Sequence, residues 1–252
     1  MNTLSLSTTL WMVLPYIALT SFVLGHVWRY RADQFGWTTR SSQVYESRLL
    51  RLGSPLFHFG ILGVLAGHVG GLLIPQSWTE AVGVSEHFYH LMSVSLGSLA
   101  GLAVVAGVGI LLYRRVTVPE VRTATTLNDK LMYLVLLGAL ATGMLNTLTN
   151  VFSTYNYRET VSPWFRSLFT GNPAPELMAD TPWTFQAHVL IVLALLGFWP
   201  YTRLVHMFSA PIGYLVRPYV VYRSRDPQRA GKNRYAKAWV TPQAPPQRSR
   251  WV

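Results

Sequence analysis

The stretch PLFHFGILGVLAGHVGGLLIP, residues 55–75, is 21 residues long, holds no Asp, Glu, Lys or Arg, and carries two histidines ten positions apart. About 20 apolar residues in a helix cover the roughly 30 Å of hydrocarbon in a bilayer, so the stretch reads as a membrane-crossing helix. Four further stretches pass the same test, near 8–28, 88–113, 131–152 and 183–208, and none of the five contains Asp or Glu. The expected fold is an all-α membrane protein, a five-transmembrane-helix bundle. The first stretch has no basic lead-in and no small-residue cleavage site, so it is expected to be a span and not a signal peptide.

Composition agrees. The 252 residues are 50% hydrophobic and only 12% charged, yet the formal net charge is +11. Ordinary soluble domains are about 25% charged. So apolar a chain is not a disordered tail. Nor does it suit a nucleic-acid binder, whose basic stripe lies on a polar body.

The basic residues also have a location. Residues 29–51 hold five, 114–130 hold four and the chain from 203 onward holds ten, which is nineteen of the 21. The loops 76–87 and 153–182 hold only Arg158 and Arg166, against Glu80, Glu86, Glu159, Glu176 and Asp180. The basic side is expected to be cytoplasmic, with the N-terminus outside and the C-terminus inside. Residues 1–216 are expected to form the membrane domain and 217–252 a basic cytoplasmic tail. The loop 153–182, rich in Pro, Ser, Thr and aromatics, is expected to include an amphipathic piece lying in the membrane interface.

Cysteine is absent. Disulfides, iron–sulfur clusters and thiol chemistry within this chain are thereby excluded, and histidine becomes the residue to follow. Of seven histidines, His58 and His68 lie on the second span, and His188 and His206 on the fifth. Ionisable groups inside a membrane are costly and usually functional. The two spans run in opposite directions, so His58 comes level with His206, and His68 with His188. Two level pairs suit two six-coordinate haems, each iron taking one imidazole on each face. A single histidine in a span is often only hydrogen-bonded to a neighbour, an explanation that suits four matched ones poorly. A two-histidine site without carboxylate or Cys is also poor for zinc or copper.

Eighteen residues are five helical turns, which would place His188 and His206 on one face. The axial separations within the two spans, about 15 and 27 Å, are unequal and call for tilted helices or offset rings. Gly60, Gly63, Gly67, Gly70 and Gly71 are expected to let a flat macrocycle approach the second span. His26, at the end of the first span, reads as an interface anchor. Glu86, His87, Tyr89 and His90 could serve a quinol as proton acceptors beside the His68–His188 pair, with Gly67 close by. Arg122 and Arg203 are candidates for pairing with haem propionates.

These residues resemble a known family, the gamma subunit of respiratory membrane-bound nitrate reductase, a dihaem cytochrome b anchor. The resemblance rests on WRYRADQFGWTTRSSQ at 28–43, LFHFGILGVLAGHVGG at 56–71, RVTVPEVRTATT at 115–126 and FWPYTRLVHMFSAP at 198–211, and covers roughly residues 10–225. It implies two haem b groups, one on His58 and His206 nearer the cytoplasm, the other on His68 and His188. It implies quinol oxidation near the outer haem. It implies an iron–sulfur beta subunit and a molybdenum-containing alpha subunit as partners, in a bacterial or archaeal cytoplasmic membrane that the chain crosses several times. One departure stands out. Some relatives carry a quinol-site Lys at the start of the third span, whereas here Lys130 is the first Lys and SEHFYH occupies that region. Two other readings remain open from the sequence: a dihaem anchor of another molybdenum or sulfur-metabolism reductase, and a haem-free channel or transporter. The second needs a polar pathway, which spans without acidic residues do not offer.

Overall fold

The computed structural model describes residues 6–37, 42–153, 155–209 and 216. Among them there are helices and no strand, and five helices are long and apolar enough to cross a membrane: Leu6–Ala32, Arg48–Leu73, Glu86–Thr117, Leu127–Asn150 and Trp183–Tyr201. The chain divides into Met1–Ala210 and Pro211–Val252. The basic tail expected at 217–252 lies outside the described residues.

Local chemistry sets the helix ends. Ser85 caps the third span by accepting from the Phe88 N–H, with Glu86 in the first turn and Arg114 and Arg115 in the last. Thr126 and Asp129 form a reciprocal capping box at the start of the fourth. Short π-helical segments lie at Thr9–Val13 and Val69–Leu73, the latter directly after His68.

Small residues let the spans pack. A Cβ added at Gly107 would lie 2.4 Å from Phe57 N, and one at Gly60 would lie 2.8 Å from Val104 N. The second and third spans therefore touch backbone to backbone. The fifth packs on the fourth and the first, with the Ser21 hydroxyl donating to Gly197 O at 2.8 Å. The second and fifth spans have no comparable contact.

One expectation is corrected. The fifth span is not continuous to 208. Its α-helix covers Trp183–Phe198, a 3-10 turn follows at Trp199–Tyr201, Thr202 is extended (φ −114°, ψ −178°), and Arg203–Ser209 is a second 3-10 segment. Pro200 supplies the reason, since its ring excludes the helical carbonyl and it has no N–H to give. His206 therefore does not share a helix face with His188. The carbonyls freed at the break are met by Arg29, which donates to Pro200 O at 2.6 Å and Thr202 O at 3.2 Å. The start of the fourth span pins the same segment: Asn128 donates to Tyr201 O at 3.0 Å, and the buried Asp129 accepts from Arg203 Nε at 2.5 Å and Nη2 at 2.8 Å.

The loop 153–182 packs onto the bundle through one side of its short helices. Its short helices Val161–Ser167 and Glu176–Ala179 close over one end of the bundle, and Val161, Trp164, Leu168 and Met178 form a buried cluster with Trp11. The Trp164 indole donates to Trp11 O at 2.8 Å and is buried, while Phe169 stays exposed.

At the basic end, Arg114 is buried and pairs with Glu46 Oε2 at 2.6 Å. Burial pushes the Glu46 carboxyl up, but bonds from the Leu49 N–H and Arg114 outweigh it and hold the group below the ordinary carboxylate value. A carboxyl held low stabilises the fold above its free pKa, and the contribution is lost as pH falls through the lower folded value. Hydrogen exchange at residues 42–49 should accelerate as the pH drops below the free value of 4.5, relative to the bundle interior. Gly107→Val should lower the thermal unfolding midpoint in detergent by roughly 5–10 °C, about 2–3 kcal/mol of overpacking. Gly109→Val, where an added Cβ meets nothing within 4 Å, should be close to neutral. Asp129→Ala should cost roughly 2–3 kcal/mol by leaving Arg203 without its buried partner, and limited proteolysis should then cut first near 202–209.

Candidate functional site

The structure brings the four span histidines together in two couples. The ring centroids of His58 and His206 are 6.1 Å apart with an interplanar angle of 64°. Those of His68 and His188 are also 6.1 Å apart, at 35°. The imidazoles face one another across the gap between the two backbones.

Each ring is held through Nδ1. His58 Nδ1–H donates to Ser54 O at 2.7 Å, His68 to Val64 O at 2.8 Å and His206 to Arg203 O at 2.6 Å. His188 Nδ1 lies 3.0 Å from Thr142 Oγ1, whose own hydroxyl donates to Gly138 O at 2.8 Å, so the imidazole is the donor here too. A carbonyl oxygen only accepts, so Nδ1 carries the proton and Nε2 keeps its lone pair. A ring oriented through its far N–H is how histidine is prepared as a metal ligand.

The 6.1 Å between ring centres leaves space for one metal atom between the two imidazoles of each couple, so His58 with His206 and His68 with His188 would suit a haem, which would supply one-electron redox chemistry there. Among the described residues no group of three or more His, Asp or Glu converges. A haem needs only two protein ligands, because its macrocycle supplies the other four nitrogens.

The glycines divide differently from the sequence expectation. Added Cβ atoms at Gly60 and Gly63 would meet Val104 and Ala100 of the third span, and one at Gly71 would meet Tyr157 Oη. These three serve helix packing. Of the five, Gly67 alone has nothing within 4 Å and Gly70 meets only Tyr89 Oη at 3.9 Å, while a Cβ added at Gly143 of the fourth span would lie 3.0 Å from the His188 ring. Arg203 has its Nε and Nη2 on the carboxylate of Asp129, while Arg122 is exposed on the short helix Pro119–Thr123. His26 sits among Phe22, Trp37 and Phe208, its Nδ1 donating to Phe22 O at 2.6 Å.

At the end away from the basic residues, Glu86, His87, Tyr89 and His90 line a half-open cleft of about 200 Å³ with Asn150, Tyr155 and Tyr157. His87 is exposed, and His90 Nε2–H donates to Asn150 O at 3.0 Å. Behind them Arg158, almost fully buried, joins three elements. It pairs with Glu86 at 3.0 Å, donates to Thr79 Oγ1 at 2.9 Å and lies 3.8 Å over the Tyr89 ring. Burial, then the neighbouring Tyr89, pushes the Tyr157 phenol well above its ordinary pKa, so it stays a neutral hydroxyl. Tyr157 Oη also abuts the π-helical turn after His68, through Gly71.

Tyr157, Arg158, Asn150 and Thr142 are the residues that sequence reading missed. Arg158 did carry a signal, as one of two basic residues on the otherwise acidic side. The others looked like ordinary loop or span residues.

Known proteins of this kind match the chain over nearly its whole length. The sequence profile of the family described as nitrate reductase gamma subunit matches residues 7–225. The nitrate reductase-like protein NarX of Mycobacterium tuberculosis is 59% identical over 219 residues, covering 86% of this chain and 34% of that protein. The chain thus spans about a third of that relative's length. The nitrate reductase gamma chain of Bacillus subtilis is 45% identical over 218 residues, covering 86% of this chain and 98% of the relative. The respiratory nitrate reductase 2 gamma chain of Escherichia coli is 33% identical over 216 residues, covering 84% and 95%. With five apolar spans and a family match from the first of them to residue 225, this chain belongs to the nitrate reductase gamma subunit family and is a membrane protein of that kind.

Proposed function

We propose that the chain is the cytochrome b subunit of a respiratory nitrate reductase, oxidising quinol and delivering the electrons to partner subunits. The observation that carries this reading is the two histidine couples, each 6.1 Å apart and each ring held through Nδ1. His58 and His206 would hold one haem b, and His68 and His188 the other. When bound, the haems supply one-electron carriers at two depths in the membrane.

The chain's own residues do the rest. Thr142 and the carbonyls of Ser54, Val64 and Arg203 fix the ring orientations. Open space at Gly67 gives a flat ligand access to the second span. Quinol is oxidised beside the His68–His188 couple, and the cleft lined by Glu86, His87, Tyr89 and His90 accepts its protons. Arg158 holds the cleft's wall by joining Glu86 to Thr79.

The basic end faces the cytoplasm, with the N-terminus outside and the C-terminus inside, because the sequence puts nineteen of 21 cationic residues in segments 29–51, 114–130 and 203 onward, on one side of the five spans. That end offers the surface for an iron–sulfur beta subunit and a molybdenum-containing alpha subunit. Nitrate is reduced in a partner chain, and the membrane is a bacterial or archaeal cytoplasmic one.

The gently solubilised complex should carry two b-type haems per copy of this chain in its reduced-minus-oxidised spectrum. His58→Ala and His206→Ala should each remove one spectral component, and His68→Ala and His188→Ala the other; absence of any b-type band would overturn the reading. His87→Ala and His90→Ala should slow quinol oxidation by about 10–100-fold in at least one variant. Unchanged quinol kinetics and inhibitor sensitivity in both would sink the quinol assignment while leaving the haem ligands standing.

A further inference from the structure

The fourth span is apolar over most of its length, but Thr142, Asn146 and Asn150 recur every fourth residue on one slowly turning face. At 1.5 Å per residue the three span about 12 Å of depth. Each is tied to a different level of the candidate site. Thr142 Oγ1 accepts from His188 at 3.0 Å. Asn146 Nδ2 donates to Thr184 O at 3.3 Å, one turn before His188 on the fifth span. Asn150 lines the cleft, and its backbone carbonyl accepts from His90.

The side-chain oxygens of Asn146 and Asn150 have no hydrogen-bond partner, although each residue is only 7% exposed. A buried amide oxygen without a donor is strongly disfavoured, most of all inside a bilayer. Two such oxygens, one turn apart on one face, call for donors that no described residue supplies. Water has the chemistry to satisfy them, once the side chains give it room. It is small, it brings two O–H groups, and the stripe ends at a half-open cleft through which it enters.

We propose that Asn146 and Asn150 hold a short file of ordered water, running from the level of His188 to the cleft, and that protons released by quinol leave along it. The inference rests on the quinol-oxidising function proposed above. Oxidation of one hydroquinone breaks two O–H bonds and yields a quinone, two electrons and two protons. The electrons go to ferric haem, and the protons pass to the water file and emerge at Glu86 and His87. The amides keep their protons throughout; their oxygens only hold the water in line.

A cryo-EM map of the whole complex in lipid nanodiscs, at a resolution that shows water, should place water about 2.7–3.2 Å from both amide oxygens. Dry oxygens, or a quinone or lipid headgroup seated on them, would overturn the file. Asn146→Leu should keep both haem bands, slow quinol oxidation about tenfold and raise its solvent deuterium isotope effect. Asn146→Thr, which restores a hydroxyl, should recover much of the rate. Unchanged turnover and isotope effect in Asn146→Leu with both haems bound would defeat this inference alone. Absence of haem from the unaltered complex would instead defeat the functional reading beneath it.

Discussion

The structure depends on a gap between two helices that do not pack. The second span gives its glycine face to the third, down to 2.4 Å between an added Cβ at Gly107 and Phe57 N. The fifth span is held by the fourth and the first. Neither can move toward the other without losing that contact, so their histidines face each other across a gap between the two backbones, with Phe57 reaching the cluster of Leu136, Ala139 and Leu195 beside it. Close packing on one side of each helix is thus what keeps the other side open, and small residues make it possible where hydrophobic burial gives no drive between helices in lipid.

Polar groups in such a place need their partners fixed by the fold. Each of the four imidazoles finds an acceptor for Nδ1 on its own or an adjacent element, which leaves Nε2 as the free lone pair. The ends of the bundle follow the same rule with charges: Arg114 with Glu46, Arg203 with Asp129, Arg158 with Glu86. These pairs tie loops to spans, and the Asp129–Arg203 pair holds the segment on which His206 sits. Buried pairs of this kind add little net stability against apolar replacements, but breaking one is costly, so they specify arrangement.

The cleft and the couples belong to one end-to-end design within the family to which the chain belongs. Tyr89 and Tyr157 lean on the turn after His68, and the polar face of the fourth span runs from Thr142 beside His188 to Asn150 in the cleft. A change at the cleft wall therefore reaches the His68–His188 couple through a few rigid contacts.

Much of this was legible in the linear chain. Five runs of apolar residues near 20 long can do little but cross a bilayer as helices, because backbone polar groups must be satisfied within the segment. The distribution of Arg and Lys sorted the loops into two sets, and antiparallel crossing alone made His58 level with His206 and His68 with His188. Tertiary structure decided the remainder. The break at Pro200 gave up a continuous helix, and its carbonyls turned to Arg29; that redirection lets spans with unequal histidine separations present two couples at one distance. The choice of Gly60 and Gly63 for helix packing and Gly67 for open space was likewise invisible, because a glycine's role depends on which neighbour arrives. The loop 153–182 shows the same limit. Its sequence suggested an amphipathic piece, but that Trp164 would bury itself against Trp11, 153 residues away, depended on which neighbour the fold brought to it.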